Sequence, residues 1–148
     1  MRLTSSFDIS SSALTAQRLR MDVISSNIAN ADTTRARLES GKWVPYSRKV
    51  ATIAPKQQPF SQMLNTAMQG MSGEGVKVTQ ITEDREPFKR VYNPAHPDAD
   101  TNGYVEMPNV DVLKEMVDML SATRSYEANV TALNASKAMV VKALEIGK

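Results

Sequence analysis

The stretch SSNIANADTTR, residues 25–35, is where the first helical pattern of the chain stops. Upstream of it, Leu3, Phe7, Ser10, Leu14, Gln17, Met21, Ile24 and Ile28 recur at spacings of three and four, the mark of one helical stripe. Neither Gly nor Pro ends the pattern; it runs into Asn27, Ala29, Asn30, Ala31 and Asp32. Asn tolerates the left-handed conformation, and its side chain can bond exposed carbonyls, so such a cluster can close a helix without glycine. Reading 25–35 as a helix end places one helix within residues 1–34. Ser5 is its candidate cap, and Asp8 sits near the positive end of its dipole. A second, smaller stripe of Ile9, Ala13, Ala16 and Val23 runs beside the first, with alanines small enough for another backbone to approach.

Beyond this end the punctuation changes. All seven prolines lie between Pro45 and Pro108, and five of the six glycines lie between Gly41 and Gly103. Proline breaks helix interiors and glycine weakens them, so residues 35–108 are expected to form short strands and loops. The strand-favouring pieces are 42–55, 75–81 and 88–92. Phe60, Met63, Leu64, Ala67, Met68 and Met71 fit a short amphipathic helix, and Asn102-Gly103 is a turn signal.

The last segment, 109–148, is helical again. Val112, Met116, Met119, Thr123, Tyr126, Val130, Leu133, Lys137, Val140 and Leu144 keep strict four–three spacing, and Leu113, Val117, Leu120 and Val141 form a flanking seam. Asn109 or Asp111 can cap the start and Gly147 the end, giving a helix roughly 50 Å long. The expected fold is therefore mainly α. Two terminal helices pack as a coiled-coil-like core around a small β and irregular middle. One partner covers one seam, yet each helix carries more than one, and a two-helix hairpin has too little interior for both. The surplus apolar surface must meet other copies or other proteins. Phe7, Leu14, Met21, Ile24, Ile28, Val112, Met116, Met119, Tyr126, Val130, Leu133, Val140 and Leu144 are the candidate subunit-packing residues.

Composition narrows the function. The 148 residues carry a net charge of +2, spread evenly along the chain, so no basic stripe suits nucleic acid. The absence of cysteine excludes disulfides, thiol catalysis and Cys-based zinc sites. No run approaches the ~20 apolar residues of a membrane span, and the N-terminus lacks the unbroken apolar core of a cleaved secretory signal. The single histidine, His96, lies near Asp98 and Asp100, but loop packing and turn bonding explain it better than a metal-dependent hydrolase does. DADTNG, 98–103, matches the first half of a calcium loop, yet the twelfth position, where a bidentate Glu is needed, is Asn109. No nucleophile elbow, Walker loop or dinucleotide fingerprint is present. The reading is a non-enzyme with no cofactor and no metal.

SALTAQRLRMDVISSNIANADTTR (12–35), a helix ending in N-x-A-N, resembles the N-terminal signature of flagellar rod, hook and hook-associated proteins. Residues 109–148, with R-S-Y-E-A-N at 124–129, resemble that family's C-terminal helix. NPAHPDADTNGYVEMPNVD (93–111) narrows the resemblance to the proximal-rod members. The resemblance implies a structural subunit that packs its terminal helices in the core of a hollow, torque-transmitting shaft and export channel. Its implied partners are other rod proteins, copies of itself and the flagellar type III export apparatus, by which it leaves the cytoplasm without a cleaved signal. In that setting Asn27 and Asn30 join the packing residues, bonding exposed carbonyls or a neighbouring helix. Phe60 and Leu64 look like the F-x-x-x-apolar gate-recognition motif of early export substrates, against which ordinary helix packing stands as the simpler use. A cytosolic coiled-coil adapter or export chaperone, forming a discrete dimer, is the competing function.

Overall fold

The computed structural model describes residues 5–39, 41–56 and 75–146. Its elements run in the order α1 (Ser5–Ala29), β1 (Arg37–Glu39), β2 (Lys42–Val44), β3 (Lys49–Pro55), β4 (Val76–Glu83), β5 (Lys89–Tyr92), β6 (Tyr104–Met107) and α2 (Val112–Ile146). Two helices at the ends and short strands between them are what the distribution of Pro and Gly requires. The amphipathic segment 60–71, with Phe60 and Leu64, lies outside the described residues, as do Leu3 and Gly147.

The strands form three two-stranded sheets, β1–β2, β3–β4 and β5–β6. In the first, Leu38 faces Trp43 across a hairpin that turns at Gly41, whose φ of 82° is the left-handed conformation glycine favours. The second is antiparallel, with Asp84 N–H bonding Arg48 O at one end and Lys56 N–H bonding Gly75 O at the other. In the third, Lys89 pairs Met107 and Tyr92 pairs Tyr104, whose rings meet edge-on at 5.3 Å. The expected Asn102-Gly103 turn sits at the entry to β6, where Gly103 has φ 80° and a Cβ would come within 2.9 Å of the Tyr92 ring. It closes a loop that occupies all of 93–103 rather than a tight two-residue hairpin.

The chain folds as two compact units. One comprises Met21–Ala51 and Ile81–Leu120; the other takes the remaining described parts of α1, β3, β4 and α2. In the latter, Ser12 Oγ donates to Ile9 O at 2.7 Å and accepts the Val76 amide at 3.1 Å, so a helix side chain anchors the start of β4. A Cβ on Gly75 would lie 2.2 Å from that hydroxyl, which is why the approach needs glycine. The former unit holds an extensive polar cluster, described below.

The apolar core is small. Ala16, Val23, Ile24, Tyr46, Val105, Val110 and Ala122 are buried, whereas fifteen large hydrophobic residues are exposed among the described residues. A chain that leaves more large apolar side chains outside than inside has surface available for association. No helix among the described residues is long and apolar enough to cross a membrane.

Candidate assembly site

The end of α1 answers the question its sequence poses, and the two asparagines do different work. Asn30 closes the helix. Its amide N–H and its Nδ2 both donate to Ser26 O, at 3.2 and 2.8 Å, and its carbonyl accepts the Thr33 amide at 3.1 Å. These bonds satisfy backbone groups that a helix terminus leaves open.

Asn27 points the other way, into the protein, and is 1% exposed. Nδ2 donates to Lys49 O at 2.8 Å and to Glu115 Oε2 at 2.9 Å. Oδ1 accepts Tyr46 Oη–H at 3.0 Å and the Lys49 amide at 2.9 Å. A carboxamide offers two donors and two acceptor positions, and here all four are used. The intersubunit bond expected of Asn27 from the sequence has no donor or acceptor left to serve it in this conformation.

Glu115, in the first turn of α2, is 0% exposed. A buried carboxylate is costly unless paired and hydrogen-bonded. Besides Asn27 it accepts Arg48 Nε at 2.7 Å. Arg48 also donates from Nη1 to Asp84 at 3.1 Å and lies 3.6 Å from Asp118. Burial works against its charge, but the hydrogen bonds to Glu115 and Asp84 outweigh that and raise its pKa further. The Arg48 amide bonds Asn109 Oδ1 at 2.7 Å, and Asn109 Nδ2 donates to Glu86 O at 3.0 Å. Asn109 is thereby a loop fastener. The cap of α2 is Asp111, whose Oδ1 accepts the Leu113 and Lys114 amides at 3.1 and 3.4 Å.

The cluster joins the end of α1, the approach to β3, the turn after β4 and the start of α2 through residues up to 88 positions apart. Sequence reasoning missed Arg48, Tyr46, Asp84 and Glu115. The one available signal was Glu115 itself, an acid at helical spacing from Met119 and Ala122 on an otherwise apolar strip of α2.

A second polar contact ties the loops. Asp98 accepts Arg35 Nε at 2.7 Å and Thr34 Oγ1 at 2.9 Å, and its amide donates to His96 Nδ1 at 3.1 Å. Asp98, a cation ligand that the sequence disfavours, thus faces a guanidinium of its own chain. The hydrogen bond from Arg35 holds the Asp98 carboxyl below the usual carboxylate range, and that from Arg48 does the same for Asp84. Depressed folded-state values stabilise the fold above the unfolded pKa, and the benefit disappears as pH falls through the folded one. Stability contributed by these aspartates is therefore expected to be constant near neutrality and to fall below about pH 4. Urea midpoints followed from about pH 7 to about pH 3 should show a shallower acid slope in Asp84→Asn and Asp98→Asn than in the parent.

The expected packing residues divide by position. On α1, Ile24 is buried, and Phe7, Leu14, Met21, Ile28 and Asn30 are half-buried. On α2, Met119, Tyr126, Val130, Leu133 and Val140 are half-buried, and Val112, Met116 and Leu144 are exposed. The flanking seam is more open: Leu113 is 75% exposed, Val117 67% and Leu120 59%. With Met116, these residues make a continuous apolar face on the first turns of α2.

Residues 7–37 match the family described as Flagella basal body rod protein, and residues 101–146 match the family described as Flagellar basal body rod FlgEFG protein C-terminal. The chain is 61% identical to the flagellar basal-body rod protein FlgC of Bacillus subtilis over 145 residues, which is 97% of each chain. The FlgC of Borreliella burgdorferi is 46% identical over 99% of this chain and 98% of its own. That of Salmonella typhimurium is 43% identical over the full length of both. The N-x-A-N helix end, the R-S-Y-E-A-N run within a capped C-terminal helix and full-length identity at this level lead to one assignment: the chain belongs to the FlgC family of flagellar basal-body rod proteins.

Proposed function

We propose that this protein is a structural subunit of the flagellar basal-body rod, assembling with other rod proteins and copies of itself through its terminal helices. The single observation that carries the reading is the apolar face of α2, with Leu113, Met116, Val117 and Leu120 all more than half exposed in the lone chain. Association through such faces gains free energy by removing apolar surface from water. A repeated, non-closing contact between unlike faces generates a helical stack, the geometry of a shaft. In this reading residues 1–34 and 109–148 form the core of the assembly with coiled-coil-like packing, and 35–108 faces outward. Stiffness comes from packed seams, and no reactive group is called on. The proximal position in the rod, the hollow torque-transmitting channel and export by the type III apparatus complete the proposal. The Phe60–Leu64 segment is its candidate gate motif.

The test is a double substitution, Leu113→Lys with Val117→Lys. Both sites are exposed, so helical content should be unchanged and the unfolding free energy from urea titration should stay within about 0.5 kcal/mol of the parent. Co-purification with basal bodies and swimming should both be lost, because two buried ammonium groups per contact are not tolerated. A variant that swims and co-purifies normally would refute assembly through this face. A discrete soluble dimer that never enters the basal-body fraction would favour the adapter reading.

A further inference from the structure

The first turns of α2 are inside out. At about 100° per residue, Leu113, Val117 and Leu120 lie about 140–160° around the helix from Glu115. The charged residue is fully buried, and the apolar residues opposite are the exposed ones. Hydrophobic burial alone would turn the helix the other way, carrying Leu113, Val117 and Leu120 inward and releasing the carboxylate to water. What opposes that rotation is the pair of bonds on Glu115, from Arg48 Nε at 2.7 Å and Asn27 Nδ2 at 2.9 Å, together with the burial of the small Ala122 on the same side of the helix. Both partners are themselves fixed, Arg48 by Asp84 and Asn27 by three further bonds.

We infer that Glu115 is a positioning residue for assembly: clamped by Arg48 and Asn27, it sets the rotation of α2 so that the apolar face is presented to a neighbouring subunit instead of being hidden in its own chain. The inference rests on the assembly reading above and adds how the face is kept available. A buried ion pair is a poor source of net stability, because desolvation offsets most of the attraction; its better-attested use is to choose one arrangement among several apolar alternatives. The clamp fits that use. It also requires residues 27, 48 and 115 together, so the face is set only once the end of α1, the approach to β3 and the start of α2 have met.

The test reads rotation without assembly. The chain has no cysteine, so Val117→Cys introduces a single label site on the exposed side of α2. In dilute full-length protein, maleimide should modify the thiol at position 117 almost as fast as in the urea-unfolded chain. Adding Glu115→Lys removes the clamp, since an ammonium is repelled by Arg48, and gives position 115 a side chain that favours water. Labelling should then slow by about tenfold as position 117 turns inward, with helical circular dichroism retained. Glu115→Gln, which keeps the shape and removes the charge, should give a smaller slowing. If both variants remain helical and label at the parent rate, the clamp does not set the rotation and the inference fails. If both lose their helical signal, the cluster holds up the fold itself and the inference fails as well. Neither outcome touches the assembly reading, which stands or falls on the lysine substitutions at 113 and 117.

Discussion

Arg48→Ala should destabilise the folded protein by about 3–5 kcal/mol, the cost of leaving a buried carboxylate without its charged partner. Glu115 is 0% exposed in the parent and loses its only guanidinium partner among the described residues when Arg48 is truncated. Asn27 Nδ2 would remain as a neutral donor and offsets little of the charge. Asp84 loses a partner too, but it is partly exposed and can hydrate. Urea unfolding followed by circular dichroism gives the loss directly from the midpoint. The diagnostic step is the second substitution. In Arg48→Ala with Glu115→Leu no unpaired charge is buried, so much of the stability should return even though one more native residue has been removed. Strict additivity of the two losses would mean that the Arg48–Glu115 pair is not the source of the effect.

The second large effect belongs to Asn27→Ala. The substitution leaves Lys49 O, the Lys49 amide, the Tyr46 hydroxyl and one oxygen of Glu115 without the partner they share. Unsatisfied buried groups cost about 1–3 kcal/mol each when fully desolvated, and since these four can partly rearrange, a net loss of about 3 kcal/mol is expected. Tyr46 keeps a weaker alternative in Ser26 Oγ at 3.4 Å. Asn30→Ala provides the contrast. It removes the side-chain bond to Ser26 O, worth about 0.5–1.5 kcal/mol, and a longer one from Thr33 Oγ1 at 3.3 Å, both at a partly exposed helix end, and leaves the buried cluster intact. Equal midpoints for the two variants would contradict the division of labour between a buried crosslink and a helix closure. Because Asn27 acts inside the chain, its loss should impair assembly through misfolding of the α2 base, and stability and swimming should decline together.

Much of the architecture is legible without coordinates because it follows from local rules. The confinement of Pro to residues 45–108 leaves only the ends free for long helices, and α1 and α2 occupy those ends. The end of α1 at Ala29 follows from the asparagine cluster after it, and the start of α2 follows from Asp111. The strand-favouring piece 42–55 holds β2 and β3 as two separate strands, and 75–81 and 88–92 overlap β4 and β5, whereas β1 and β6 lie outside the expected pieces; the surplus of apolar seams over covering surfaces follows from counting.

What no local rule supplies is the polar cluster. Asn27 reads from the sequence as part of a helix end and Asn109 as a candidate cap, and nothing local marks Arg48 or Asp84 as members of a shared network. Which of them is buried depends on which partners the folded chain brings within about 3 Å, and those partners come from sites far apart in sequence. The spacing of apolar residues established that α2 carries two faces. Only the tertiary structure decided which one turns outward, because a single buried carboxylate with two fixed partners can hold against the diffuse pull of hydrophobic burial.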